Sequence, residues 1–468
     1  VYKRQVQNYT AVIDPDDATL RSAVVGTVTP SPLAASGNGI VQAGETLPVR
    51  VSWDDVGAVP GTQLMGAVGI GTSRESPSDI GVIPVNFTKT GVASPETLVL
   101  MDGVSRGLTL SGGGVHDRII VDIPSGTDSF TIAATAFGDS GQNDALSIEL
   151  YRLDFDDAFA DAPFAKAPDT SGSPLASASG ANGNGPTITV GGNDAVPGRW
   201  YAVLKNSGGS DANISVRADL VFTGPPIDVQ FGLWEPASRS DTHQGIDFNT
   251  TGDYRAFLWY TYDEDGKPAW YQAAAAATDG NVFVAGLYRY TNDGLLQQSS
   301  QVGHVSVTVV GERDSIFSWV LFGKNGSDRM FPLTSLNCPT IDGSKKSYDG
   351  LWSRTAIGVG GASGLVNTGA QAFVHYIYDD KGNPVWLTAA PEVQSPTAEE
   401  MRILQWDGYC AVCSGPEPTY ETVGVFSRVF SDEYNLNWTL DYTLSSPLSG
   451  TIDRSDHTGK LSVTQICN

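Results

Sequence analysis

Apolar and polar positions alternate along this chain in short runs, and no long segment keeps a helical period. Leu47-Pro-Val-Arg-Val-Ser-Trp53 alternates as a half-buried strand does. Gln63-Leu-Met-Gly-Ala-Val-Gly-Ile70 and Asp79-Ile-Gly-Val-Ile-Pro-Val85 are two further apolar runs, and Pro84 marks the latter as an edge or a strand end. From residue 91 the pattern predicts strands at Thr97–Met101, Asp117–Ile123, Ser129–Ala134, Ser147–Tyr151, Thr187–Val190, Trp200–Leu204 and Asn213–Arg217. Turn clusters such as Pro124-Ser-Gly-Thr-Asp128 and Gly191-Gly-Asn-Asp194 separate them. Residues 154–185 are rich in Asp, Ala, Ser, Gly and Pro and read as one long loop. The pattern predicts an all-β chain of several antiparallel sandwich or barrel domains in tandem.

The last half of the chain is written twice. Gly232-Leu233-Trp234 leads to Tyr260-Thr-Tyr262-Asp263-Glu-Asp265-Gly266-Lys-Pro268-Ala-Trp270, and Gly350-Leu351-Trp352 leads to Tyr376-Ile-Tyr378-Asp379-Asp-Lys381-Gly382-Asn-Pro384-Val-Trp386. The first tryptophans, 234 and 352, are 118 positions apart, and the second, 270 and 386, are 116 apart. Val302-Gly303 with Phe317-Ser-Trp319-Val-Leu321 finds its counterpart in Val423-Gly424 with Leu436-Asn-Trp438-Thr-Leu440. The period exceeds the ~20–50 residues of solenoid repeats, so two whole small domains stand in tandem. The chain divides into residues 1–90, 91–224, 227–340 and 341–468, with Gly224-Pro225-Pro226 as a stiff linker. Each Asp-x-x-Gly-x-Pro segment reads as a turn between aromatic strands, with Gly266 and Gly382 at left-handed positions. The connection over residues 337–348 is short, which predicts that the repeats pack side by side as closed or sandwiched meanders.

Composition sharpens this. The chain has 468 residues, 53 of them Gly, and a net charge of −24 from 52 acids against 28 bases. Such a surface repels a phosphate backbone and an anionic membrane, so neither nucleic acid nor membrane is an expected partner. No run of ~18 apolar residues is present. The chain starts at Val1 without Met or a signal peptide and reads as a fragment or a processed product. The four cysteines are Cys338, Cys410, Cys413 and Cys467. Cys410-Ala-Val-Cys413 has the spacing of a zinc knuckle, but no His pair lies near. The reading preferred here is a Cys410–Cys413 loop bridge and a Cys338–Cys467 bridge tying the repeats together, in an oxidising compartment.

Motifs for chemistry are few. Gly71-Thr72-Ser73 is followed by Arg74-Glu75-Ser76-Pro77, which suits a turn rather than a nucleophile opening a helix. There is no Gly-x-Ser-x-Gly, no His-Glu-x-x-His and no dinucleotide fingerprint. The five histidines, His116, His243, His304, His375 and His457, are dispersed singly. Asp139, Asp144, Asp154, Asp156 and Asp157 flank one predicted strand. They are candidate calcium ligands, against the plainer reading of a solvated acidic loop. Asp263-x-Asp265-Gly266 resembles the opening of a calcium loop, but the second repeat has Lys381 where the first has Asp265, which favours a plain turn.

Strand alternation places Leu258, Tyr260 and Tyr262 on one face and Phe257, Trp259 and Thr261 on the other. Aromatics present in both repeats are the expected core: Trp234/Trp352, Tyr260/Tyr376, Tyr262/Tyr378 and Trp270/Trp386. Trp259 is replaced by His375, so Trp259, with Tyr271 and His375, is the candidate binding platform for a sugar or another extracellular ligand.

Val51-Ser-Trp53-Asp54-Asp55 followed by Val59-Pro-Gly-Thr-Gln-Leu-Met-Gly-Ala-Val68 resembles the fibronectin-type-III-like segment that ends many bacterial subtilase peptidases. Asp144-Ala-Leu-Ser-Ile-Glu-Leu-Tyr151 and Pro197-Gly-Arg-Trp-Tyr201 resemble strands of the pre-peptidase C-terminal and P-domain sandwiches that follow such enzymes, although Ser147 stands where an acid is usual. The repeats resemble an aromatic β-module in the tails of secreted proteobacterial proteins. The resemblance implies a non-catalytic C-terminal region of a secreted, extracellular bacterial subtilase-like serine peptidase. Its partners would be an upstream peptidase domain in the same polypeptide and an extracellular protein or polysaccharide. The alternative is a stand-alone carbohydrate-binding or adhesin module.

Overall fold

The computed structural model describes residues 97–137, 141–227, 229–251, 254–276, 281–292, 297–334, 337–341, 343–354, 361–409, 417–462 and 467, together with strand segments between residues 2 and 88. In the first ninety residues, Asn8–Ile13, Gln63–Ile70 and Gly81–Thr88 form a three-stranded antiparallel sheet. Leu33–Gly37 pairs with Val49–Trp53. Pro84 lies in Gly81–Thr88, an edge strand, where a residue without an N–H is tolerated. Ser73 lies outside the described residues.

The next unit is a sandwich of a five-stranded and a four-stranded sheet. All seven strands predicted from residue 97 onward are present, and two more, Arg106–Leu110 and Ala176–Ser179, complete the sheets. Inward positions such as Leu108, Ile119, Phe130, Ile132, Leu150, Leu204 and Ile214 fill the space between the sheets. Two expectations need correction. Leu98–Leu100 runs parallel to Ile119–Val121, so the unit is not wholly antiparallel. The supposed loop over 154–185 holds a short helix, Phe155–Ala158, and the edge strand Ala176–Ser179, which pairs with Leu146–Arg152.

Each repeat closes into an eight-stranded antiparallel barrel, from Gly232 to Pro332 and from Gly350 to Lys460. The predicted hairpin turns are present. Asp263 Oδ1 accepts the N–H groups of Asp265 and Lys267, and Asp379 Oδ1 accepts those of Lys381 and Asn383. Gly266 and Gly382 have φ of 79° and 76°. Those carboxylates are filled by backbone donors, as in a plain turn.

The glycines of the third sequence match, Gly303 and Gly424, each follow an extra residue, Val302 or Val423, that bulges their own strand against Leu287/Tyr288 and Ile403/Leu404 of the preceding one. A Cβ at Gly303 would stand 1.8 Å from the Val320 carbonyl, and one at Gly424 2.1 Å from that of Asp441. Gly303 opposes Leu321, and Gly424 opposes Tyr442. By that register Leu440 holds the position of Trp319, and Trp438 that of Phe317. The late tryptophans therefore match in sequence but sit two residues apart in the barrels.

The register shift repacks the interior. In the first barrel Trp319 lies over Gly326, whose added Cβ would meet the indole at 2.1 Å. In the second barrel the residue opposite Leu440 is Arg454. A large side chain over glycine is exchanged for a smaller one beside arginine. Interiors close-packed like crystals permit such exchange only when total volume is kept.

Candidate functional site

The sequence-predicted platform lies inside the barrels. Trp259 contacts Tyr271, Phe317 and Trp319 in the first, and all four rings are buried. His375 takes the equivalent position in the second, against Phe373, Phe426 and Trp438. Burial holds the His375 imidazole neutral, with its pKa lowered to about 3. The expectation of an exposed surface at Trp259, Tyr271 and His375 is corrected. Variation between the repeats reflects repacking of two interiors, not release from packing.

Of the matched aromatics, Trp234 and Trp352 lie inside their barrels, whereas Tyr260/Tyr376, Tyr262/Tyr378 and Trp270/Trp386 face the other way, out of each barrel and toward the other. Trp270 Nε1 donates to the Ile377 carbonyl at 3.0 Å, and Trp386 Nε1 donates to the Thr261 carbonyl. Tyr260 and Tyr262 pack edge-on to Trp386 at 5.6 and 5.4 Å, and Tyr376 and Tyr378 pack edge-on to Trp270 at 6.0 and 5.5 Å. Gly408 N donates to Gly266 O, and Asn292 N donates to Gly382 O. Each contact has its mirror 116 positions away, so the two barrels meet as the protomers of a two-fold dimer do. Near the axis, Ser363 Oγ donates to Asp247 Oδ2 and is 2.9 Å from the Tyr376 hydroxyl. Asp247 is fully buried, its Oδ1 has no partner, and burial pushes its pKa up to about 6.

A second junction seats the sandwich on the outer wall of the first barrel. Val99, Met101, Ile120, Tyr201 and Val203 of the sandwich bury Ile316 and Val320 of the barrel. At its centre Arg199 Nε and Nη2 hold Asp122 in a bidentate pair at 2.9 and 3.1 Å. Ser318 Oγ donates to Asp122 Oδ2 at 2.8 Å and lies 2.7 Å from Ser327 Oγ, which also accepts from Arg199. The guanidinium stacks on Phe159 at 4.0 Å. Sequence reading missed these residues. The available signal was a serine at one level of three adjacent apolar strands: Ser306, Ser318 and Ser327 oppose one another across the sheet.

The same level of the second barrel is open. Ser427 lies three residues beyond Gly424, as Ser306 lies three beyond Gly303. It opposes Thr439, which opposes Ser455. Glu400 stands beside Ser427, where the first barrel has Val284 beside Ser306. An open cleft of about 470 Å³ runs here, lined by Glu399, Glu400, Ser427, Asn437, Thr439 and Ser455, among others. Asn437 and Asp441 replace the apolar Ile316 and Val320, and both are exposed.

The acidic candidates do not converge. Asp144 and Asp154 stand at opposite ends of Leu146–Arg152, roughly 20 Å apart at ~3.3 Å per residue. Asp144 Oδ1 accepts from Gly183 N, and Asp156 pairs with Arg329 at 2.6 Å. Asp154 and Asp157 are exposed. A single calcium ion shared by these residues does not fit, because an extended strand separates them. Asp139 lies outside the described residues. Among the described residues no three His, Cys, Asp or Glu side chains group to hold a metal.

Cys338 and Cys467 are bridged, with Cα atoms 5.4 Å apart. Cys338 precedes the second barrel and Cys467 follows it, so the bridge closes a loop around that whole domain. Cys410 and Cys413 lie outside the described residues. A scan against protein-family models finds no match, and a search of curated proteins also finds none.

Proposed function

We propose that this chain is a non-catalytic accessory region of a secreted bacterial subtilase-like peptidase. Its role is to stabilise the enzyme and to hold it against an extracellular protein or polysaccharide. One observation carries the reading: the sandwich and both barrels are joined by buried side-chain contacts, through the bonds of Asp122 and Arg199 to Ser318 and Ser327 at one junction and the Trp270 and Trp386 bonds at the other. The aromatics and ion pairs of greatest chemical character thus build a continuous scaffold. The Cys338–Cys467 bridge suits an oxidising, extracellular setting. Activity on casein tests the absence of catalysis: no hydrolysis is expected, and hydrolysis stopped by a serine-directed inhibitor overturns the reading. The stabilising role is tested in the gene product that contains this chain, with and without residues 227–468. Truncation is expected to lower the temperature at which peptidase activity is lost. An unchanged inactivation temperature, or no peptidase activity in the gene product, counts against the role.

A further inference from the structure

We infer that the open outer wall of the second barrel, at the row Glu400–Ser427–Thr439–Ser455, is a docking site for an arginine side chain presented by another protein. The inference does not depend on which enzyme shares the polypeptide. Its ground is that the barrels are two copies of one design, and the first copy already shows what this level of the wall binds. There, Ser318 and Ser327 receive the Asp122–Arg199 pair of the sandwich, and Ser327 Oγ accepts directly from the guanidinium. The position of Ser327 is held by Ser455, and that of Ser318 by Thr439, whose hydroxyls lie 2.8 Å apart.

The differences between the two walls specify the occupant. The first wall has no acid in the row, since Val284 stands beside Ser306, and the sandwich supplies Asp122 with its arginine. The second wall carries its own carboxylate there, the exposed Glu400, with Glu399 next to it. An incoming guanidinium therefore needs no acidic companion. Asp441 and Asp453, paired across the next outward level, add negative charge, against Arg402 in the same level. Asn437 and Asp441 replace Ile316 and Val320, the apolar pair that the sandwich covers, and the exposed Val425 and Val429 beside them leave apolar surface for the aliphatic stem of an incoming side chain. What remains suits a polar, basic segment rather than a second sandwich. Arginine is preferred over lysine because its planar fork can bond the Glu400 carboxylate and the hydroxyl of Ser427 on the adjacent strand together.

The test is calorimetric titration of the full chain with blocked tetra-arginine and tetra-lysine peptides of equal charge, at low and at moderate salt. Tetra-arginine is expected to bind at least tenfold more tightly than tetra-lysine. The double variant Glu400→Gln/Ser455→Ala is expected to lose at least tenfold of that affinity, while Asp194→Asn on the exposed rim of the sandwich changes it less than twofold. Glu400 and Ser455 are exposed, so the variant should fold, which an unchanged melting curve verifies; Thr439→Val is a second variant at the same row. Equal affinity for the two peptides would reduce the site to diffuse charge and overturn the inference. Unchanged binding in the variants would do the same, as would a wall whose variants lose a chito-oligosaccharide instead of the arginine peptide.

Discussion

Asp247 and His375 are buried titratable groups whose effects on stability have opposite signs. The Asp247 pKa is raised to about 6 by burial, above the unfolded value of about 3.9, so the folded state binds more protons between these values. Its contribution to stability is complete below pH 4 and is lost as pH rises through 6. Asp247→Asn keeps the shape and the hydrogen bond to Ser363 without the charge. It is expected to stabilise the chain by roughly 2–3 kcal/mol at pH 7.5 and to be neutral near pH 4, as read from urea melts at the two values. His375 is the reverse case. Its folded pKa of about 3 lies below the unfolded value of about 6.5, so stability falls as pH drops below 6.5. His375→Phe also removes Nε2, a buried atom without a hydrogen-bond partner. The advantage of the variant over the parent chain should grow between pH 7 and pH 4.5, and a constant difference would refute this account.

At the scale of the element, alternation was readable and its direction was not. Period-two patterning put Tyr260 and Tyr262 on one face of Tyr254–Tyr262 and Trp259 on the other, as they are. The inference that residues common to both repeats form the cores took the wrong side. A barrel interior can exchange volume among many neighbours, as Trp319 over Gly326 becomes Leu440 beside Arg454. A two-fold interface constrains both copies at once, because each residue meets the counterpart of its own partner. The repeated aromatics Tyr260/Tyr376, Tyr262/Tyr378 and Trp270/Trp386 are therefore those of the interface, whereas Trp234/Trp352 and the late tryptophans Trp319 and Trp438 lie inside their barrels. Burial on both faces hides this distinction from a sequence pattern. The mirror geometry yields a prediction. Trp270→Ala and Trp386→Ala should each cost about 3–5 kcal/mol, the range for buried aromatic truncation, and should agree within about 1 kcal/mol. The double variant should lose less than the sum if the two tryptophans act on one docking equilibrium. Strongly unequal single losses would show that the interface is not energetically two-fold.

Across the whole molecule, polar and apolar contacts hold the domains together, and one covalent bridge closes the second barrel on itself. The Cys338–Cys467 bridge spans 129 positions of sequence, and a loop of that length contributes about 4–5 kcal/mol on the chain-entropy model. Cys338→Ser/Cys467→Ser should lower the stability of the second barrel by up to that amount, while leaving the melting of the sandwich nearly unchanged. The cysteine pairing was legible because each cysteine follows the last strand of its repeat. The sandwich junction was not, since the serine level at Ser306, Ser318 and Ser327 names no partner and nothing local marks Asp122 and Arg199 as its neighbours.

That junction carries the last prediction. Asp122 and Arg199 are both buried, and each is paired with the other and with a serine of the barrel, while Arg199 Nη1 is left without a hydrogen-bond partner. Arg199→Ala leaves the Asp122 carboxylate buried without its cation, a change that costs about 3–5 kcal/mol. The molecule can relieve this by lifting the sandwich from the barrel and letting water reach Asp122, at the loss of the Ile316 and Val320 contacts. The expected outcome is thus partial detachment rather than global unfolding. Limited proteolysis should cut Arg199→Ala at the 224–227 linker faster than the parent chain, releasing an intact two-barrel fragment. Asp122→Asn/Arg199→Met, which removes both charges and keeps most of the volume, should resist cleavage better than the single variant. If the single and double variants are cut equally fast, the buried charge is not what holds the sandwich down, and the apolar contacts alone account for the junction.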